Sequence, residues 1–251
     1  MITVSELSKD YDGSEALRGV DLEIGEGEIF GLLGPNGSGK STLMKTIVGM
    51  TEPTEGVVTL NGLDPSKDTI GVKRIVGYVP ESPNLYESLS PKEFFEFVAS
   101  VRAVSPDSLE RVERFVDAFE IRDDMDRDIG SLSFGMRQKV SIIAVLIHNP
   151  QVLVLDECMN GLDPKSVRVL KEFLNSFADR GGTVVYSTHV LEVAEKLCFR
   201  VAIMRKGRVE AVGSVGELRE ILKSQSLEDV FFKVTEEEDL GQIVKALEET
   251  L

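Results

Sequence analysis

The residues between Gly34 and Thr42 read Gly-Pro-Asn-Gly-Ser-Gly-Lys-Ser-Thr, and their types and spacing suit one chemistry, the cradling of a polyphosphate. Gly34, Gly37 and Gly39 permit backbone conformations in which successive N–H groups turn inward on an anion. Pro35, Asn36 and Ser38 fill the loop between them. Lys40 offers a compact positive charge to β- and γ-phosphates, and the hydroxyls of Ser41 and Thr42 follow it, Ser41 placed to hold Mg²⁺. Farther along, Asp156 and Glu157 end an apolar run: one carboxylate suits a metal shell and its neighbour suits taking a proton from an attacking water. His189 closes a third apolar run, Thr183 to Ser187. The pattern predicts a chain that binds a nucleoside triphosphate.

These groups need elements to hold them. Ile29 to Leu33 before the loop and Leu43 to Val48 after it predict strand, glycine loop and helix, and a helix starting there turns its positive dipole end to the phosphates. Gln151 to Glu157 is apolar without alternation, as a strand buried on both faces of a parallel sheet should be. Upstream, Ile2–Leu7 and the alternating Val20–Ile24 predict antiparallel strands separated by a turn at Asp10-Tyr11-Asp12-Gly13. Gly56 to Gly62 reads as a short strand closed by an Asn-Gly turn, and Arg74–Val79 as another. Ser90-Pro91-Lys92-Glu93 is a capping box with proline at the first helical position. From there to about His148 the pattern is helical throughout, with Ser105-Pro106-Asp107 opening a second helix. Val140, Ile143, Ala144 and Ile147 fall on one face of the last. The fold class expected is therefore α/β, a P-loop NTPase core with an N-terminal antiparallel β subdomain and an α-helical subdomain inserted at about 90–148. Asp163-Pro164 opens a further helix, and Val201–Met204 with Val209–Val212 form a hairpin. Residues 1–213 form the main domain, and 214–251 a helical, acidic tail ending in Glu236-Glu237-Glu238-Asp239.

Composition narrows the classes. The chain has 251 residues, 42% of them apolar and 28% charged, enough for a sizeable core. Its net charge of −15 argues against nucleic acid as a partner, because duplex binding needs a basic face. The longest apolar run, Ile142–Ile147, is too short to cross a bilayer, and the first residues show no signal-peptide pattern. Two cysteines, Cys158 and Cys198, give no disulfide framework and suit a reducing cytosol. Cys158 beside the carboxylates reads as a small buried filler.

What separates this chain from other P-loop proteins is Leu132-Ser133-Phe134-Gly135-Met136 on the inserted segment, together with Asn160-Gly161-Leu162-Asp163 and His189. In this order the motifs resemble the nucleotide-binding subunit of an ATP-binding cassette (ABC) transporter, over residues 1 to about 213. The resemblance implies ATP and Mg²⁺ as cofactors. Tyr11 would stack on adenine with Ala16 near the ring, and Gly34 to Thr42 would hold the triphosphate. Asp156, Ser41 and Glu81 would meet the metal, Glu157 would polarise water, and His189 would steady the γ-phosphate. Ser133 and Gly135 would reach the γ-phosphate held by a second copy, and Asp163 would lie in the loop contacting that copy. The implied partners are a second nucleotide-binding subunit and a transmembrane permease, which place the chain at the cytoplasmic face of the membrane. Taken singly, Tyr11 is also an ordinary turn aromatic and His189 a structural histidine; the series gives them their roles. The sequence departs from the commonest family pattern at Phe134 and Met136, at Glu81 where a Gln is usual, and at Cys158-Met159. The Gly-Met ending and Glu81 resemble the exporter branch whose permease is a separate polypeptide. A soluble ABC ATPase acting on ribosomes or nucleic acid is the rival class. It would carry a coiled-coil insertion or two cassettes, and neither is seen.

Overall fold

The computed structural model describes residues 1–104 and 107–235. The strands, in chain order, are β1 (Ile2–Tyr11), β2 (Ser14–Ile24), β3 (Ile29–Leu33), β4 (Glu55–Leu60), β5 (Val76–Val79), β6 (Val152–Asp156), β7 (Thr183–Ser187), β8 (Arg200–Arg205) and β9 (Arg208–Ser214). The helices are α1 (Lys40–Ile47), α2 (Thr69–Ile75), α3 (Pro91–Val101), α4 (Asp107–Ala118), α5 (Phe134–Leu146), α6 (Pro164–Asp179), α7 (Leu191–Leu197), α8 (Val215–Ile221) and α9 (Leu227–Thr235).

Two sheets share the core. The smaller is antiparallel, in the order β2-β1-β4. The larger runs β5-β6-β7-β3-β8-β9, parallel except for the edge strand β9. Alternation along its strands explains why they read as unbroken apolar runs. Leu33, Leu153, Leu155, Val184, Tyr186 and Ile203 point to the helical side. Phe30, Leu32, Val152, Val154, Val185, Ala202 and Met204 point to α1 and the antiparallel sheet. Each face of the strand therefore meets its own core, and polar residues are excluded from both. The chain enters the nucleotide-facing loops at the carboxyl ends of β3, β6 and β7, the edge at which open α/β sheets bind ligands.

The structure refines several expectations. β1 and β2 are longer than predicted and meet at Asp12-Gly13, where both residues have positive φ. Arg74 and Ile75 close helix α2 rather than opening a strand, because Asp68 caps a helix there by accepting from the Gly71 N–H at 2.8 Å. The capping box at Ser90 is present in full and starts α3. The inserted segment is not helical throughout: between Phe119 and Ser133 it runs through two short 3-10 turns. Residues 105–106 of the expected second helix start lie outside the described residues, as does the acidic run 236–239. The stretch from 214 on opens with the expected capping box at Ser214, and its Leu218, Leu227 and Val230 are buried in the main helical-side core.

Candidate nucleotide site

The glycine loop links β3 to α1, and its shape follows from what its backbone must pass. Gly39 has φ +106° and caps α1, and a Cβ there would stand 2.6 Å from the Ala16 carbonyl oxygen. Only glycine fits. The loop is stitched to the β8–β9 turn by the Gly207 N–H, which donates to the Ser38 carbonyl at 2.9 Å. The Lys40 ammonium lies inside the loop and donates to the carbonyls of Gly34 at 2.7 Å and Pro35 at 3.2 Å. Burial lowers its pKa, while the charges of Glu157, Asp156 and Glu81 oppose that shift.

The loop forms one wall of a cleft of about 530 Å³, lined also by Tyr11, Ala16, Glu81, Asp156 and Glu157. Residues separated by more than a hundred positions thus meet at one cleft. Asn36, Gly37, Ser38, Ser41 and Thr42 line the cleft as well. Tyr11 stands at the mouth, 46% exposed, with the Lys9 ammonium 4.9 Å from its ring centre.

Asp156 ends β6 and is buried; the Ser187 hydroxyl donates to its Oδ1 at 2.5 Å. Glu157 follows in the left-handed region at φ +49°, an uncommon conformation for a non-glycine residue and one that re-aims its side chain. Its Oε2 lies 2.8 Å from His189 Nδ1. A carboxylate only accepts, so Nδ1 carries the proton in this pair, and Nε2 can also donate only in the imidazolium form. Cys158 is fully buried, and burial pushes its thiol far above the ordinary range, which removes it from nucleophilic chemistry.

The remaining predicted residues lie away from the cleft. Ser133 caps α5, accepting from the Met136 N–H at 3.3 Å, so the helix begins inside the signature rather than after it. Gly135 packs against Gly161, where a Cβ would come 2.2 Å from the Gly161 carbonyl oxygen. Asp163 uses its carboxylate within the chain: Oδ1 accepts from the Ser166 N–H at 2.9 Å and Oδ2 lies 2.7 Å from Lys139 Nζ. None of these three reaches the cleft of its own chain.

Sequence reasoning missed Ser187, whose hydroxyl ties the Asp156 carboxylate to the Glu157 backbone: besides donating to Asp156 it accepts from the Glu157 N–H at 3.1 Å. The signal was available, since a hydroxyl residue ending an otherwise apolar buried strand needs a polar partner there. Gln138, fully buried and donating to the Cys158 carbonyl at 3.2 Å, was also missed.

The ABC transporter family model matches residues 17–160, more than half of the chain. The chain belongs to the ABC transporter family. It is 33% identical over 237 residues to the ABC transporter ATP-binding protein NatA of Bacillus subtilis, covering 92% of this chain and 96% of that one. The similarity to EcsA, an ABC-type transporter ATP-binding protein of the same organism, is 33% over 241 residues, 95% of this chain and 98% of the other. Among solved structures, an ATP-binding subunit of an ABC transporter superposes with a TM-score of 0.89 at 31% identity, covering 93% of this chain and 99% of that one. A dimeric ATP-binding cassette in a post-hydrolysis state, bound to ADP and Pi, superposes with a TM-score of 0.76 at 28% identity, over 85% of this chain and 98% of that chain. The protein is an ATP-binding, ATP-hydrolysing subunit of an ABC transporter. No described helix of this ABC subunit is long and apolar enough to cross a membrane.

Proposed function

We propose that two copies of this subunit close head to tail around two ATP molecules and drive a separate membrane permease in export. The carrying observation is that the cleft is half a site. Lys40, Asp156, Glu157 and Tyr11 converge on one nucleotide position, while the N-terminus of α5, with Ser133, Gly135 and a 40% exposed Phe134, stands outside it. A helix N-terminus capped by a serine hydroxyl suits a phosphate, and a two-fold pairing supplies one from the partner copy. The dimeric solved cassette supports this reading.

The cleft's charge favours Mg-ATP over free ATP. Lys40 faces Asp156, Glu157 and Glu81, and with Glu15 the cleft lining sets four carboxylates against that one ammonium. Ser41, Asp156 and Glu81 line the cleft with the oxygen donors that Mg²⁺ prefers, and these residues would hold it. The bound cation would neutralise charge on the β- and γ-phosphates. Glu157 accepts the proton of the attacking water, and its Oε2 holds the His189 ring at 2.8 Å.

For the permease, a groove of about 260 Å³ lies between the segment after β5 and helices α3 and α5, lined by Tyr78, Pro80, Leu85, Phe94, Phe97 and Arg102. Tyr86 and Phe97 stand exposed beside it in an edge-to-face pair 5.5 Å apart. Glu81 lines the cleft and begins this segment, so one stretch of chain joins the cleft to the groove. The export direction rests on the Gly135-Met136 and Glu81 variants, and on the likeness to a Nod factor export ATP-binding protein of Burkholderia thailandensis, 35% identical over 221 residues.

Glu157→Gln tests the sandwich. With Mg-ATP it should elute as a dimer in size exclusion while hydrolysing about 10²- to 10⁴-fold more slowly. A variant that binds ATP and stays monomeric refutes the head-to-tail pairing. Co-purification of a membrane polypeptide in detergent supports the permease; ribosomes or DNA in its place refute it.

A further inference from the structure

Lys139 is an anomaly in this chain: an ammonium whose side chain is 11% exposed, on a helix otherwise committed to the core. Burying a charge costs several kcal/mol unless it is paired and hydrogen-bonded. Its Nζ lies 2.7 Å from Asp163 Oδ2 and donates to the Phe119 carbonyl at 2.9 Å. Three elements meet at this nitrogen. Phe119 directly follows helix α4, Lys139 lies on the helix that the signature opens, and Asp163 ends the loop that Glu157 begins.

That loop is short and tightly wound. Glu157 and Gly161 both have positive φ, the Asn160 N–H donates to the Glu157 carbonyl at 3.1 Å, and the Leu162 N–H donates to that of Met159 at 3.3 Å. Asn160 Nδ2 reaches Glu157 Oε2 at 3.5 Å. Its middle rests on the signature, with the Phe134 ring against Gly161. Its far end is fixed by Asp163, which also caps α6.

We infer that Lys139 is a positioning residue that locks the Glu157–Asp163 loop to the signature helix, so that the two move as one body during turnover. Glu157 serves the nucleotide of its own chain, whereas Ser133 and Gly135 serve that of the partner. The ion pair therefore joins the loop that starts at Glu157 to the helix that starts at the signature, and so couples the two nucleotides. This rests on the head-to-tail dimer proposed above. A charge is required here because an apolar side chain fills the volume without fixing the direction of the Asp163 carboxylate.

The test uses the full chain with Lys139→Met, Lys139→Arg and Asp163→Asn, the last keeping a residue competent to cap α6. Lys139→Met and Asp163→Asn should each lower the kcat for Mg-ATP by roughly 10- to 100-fold, the scale of a small misplacement of reacting groups. KM and the affinity of the monomer for nucleotide should stay within about twofold, because the P-loop is untouched. Lys139→Arg should restore kcat to within about threefold, and the double variant should be no worse than the worse single one. Amide exchange of residues 157–163, measured in the monomer, should quicken at least about tenfold in both single variants. A purely packing role would instead lower thermal stability and leave the kcat-to-KM split and the Arg rescue unseen. Unchanged kcat with unchanged exchange overturns the inference, as does a double variant whose losses multiply. Should exchange quicken while Glu157→Gln fails to dimerise, the lock stands and the sandwich falls; unchanged exchange in a chain that dimerises removes the lock alone.

Discussion

Replacing Ser187 by Ala removes one oxygen and two contacts, which the structure allows to be weighed separately. The Glu157 N–H keeps a partner, because it also donates to the Ser187 main-chain carbonyl at 3.3 Å. Asp156 does not keep one at Oδ1 from this residue: it loses a 2.5 Å bond to a buried carboxylate, the charge-assisted kind. Hydrogen bonds to charged groups contribute about 1.5–3 kcal/mol, so most of the loss belongs to Asp156. For a chain of this size each kcal/mol moves Tm by about 2–4 °C, giving a drop of roughly 3–12 °C. The same substitution frees the carboxylate to rotate away from the metal, so half-saturation of ATPase activity by Mg²⁺ should rise at fixed ATP. Ser187→Thr retains the hydroxyl and should recover most of both effects. Thermal melts without nucleotide and Mg²⁺ titrations of initial rates measure them independently. A Ser187→Ala protein destabilised by less than about 0.5 kcal/mol, with an unchanged Mg²⁺ requirement, refutes the assignment of Ser187 as the holder of Asp156.

Glu81→Gln removes one of the three carboxylates facing Lys40 and the triphosphate, and charge pairs at 4 Å are worth about 4 kcal/mol at an effective dielectric of 20. It should tighten metal-free ATP binding while leaving Mg-ATP affinity unchanged or weaker. ATP titrations with Mg²⁺ and with excess EDTA separate the cases, and an equal shift in both removes Glu81 from the metal. Cys158→Ala deletes one buried sulfur and should leave turnover within about threefold of the parent, since a thiol kept protonated by burial does no chemistry at neutral pH; a collapse of kcat with an intact fold would restore a chemical role. His148 is held neutral mainly by burial, and secondarily by Arg102, with its pKa lowered to about 4 although its ring bonds the Val76 carbonyl at 3.0 Å. The unfolded chain takes up that proton first, so stability present above pH 6.5 should fall as pH drops from about 6.5 toward 4. His148→Gln should flatten this part of the Tm-versus-pH curve, and an unaltered slope would show that other groups set it.

The chemistry was legible in the sequence because it is local. A glycine loop between an apolar strand and a helix has one good use, and the order of Lys40, Asp156, Glu157 and His189 places each at a strand's carboxyl end once the strands are recognised. The buried strands β3, β6 and β7 announced themselves because both their faces meet core, which confines charged and small polar residues to the strand ends. Capping residues Ser90, Asp163 and Ser214 marked helix starts that the structure keeps, since a cap satisfies backbone donors within three residues of itself. Arg74-Ile75 was misread for the converse reason: β-propensity in a short apolar run says nothing of the Asp68 cap upstream, which made the stretch helical. The contacts between Ser187 and Asp156, between His189 and Glu157, and from Lys139 to Phe119 and Asp163 were invisible, because each joins residues 20 to 32 positions apart. Which hydroxyl faces which carboxylate depends on strand order and register, and register is a property of the assembled sheet. The sequence by itself determined the family of this subunit and which residues are candidates for its nucleotide site. Tertiary structure alone decided which of them touch, for hydrogen bonds reach only about 3 Å and the chain must first be folded to bring their ends that close.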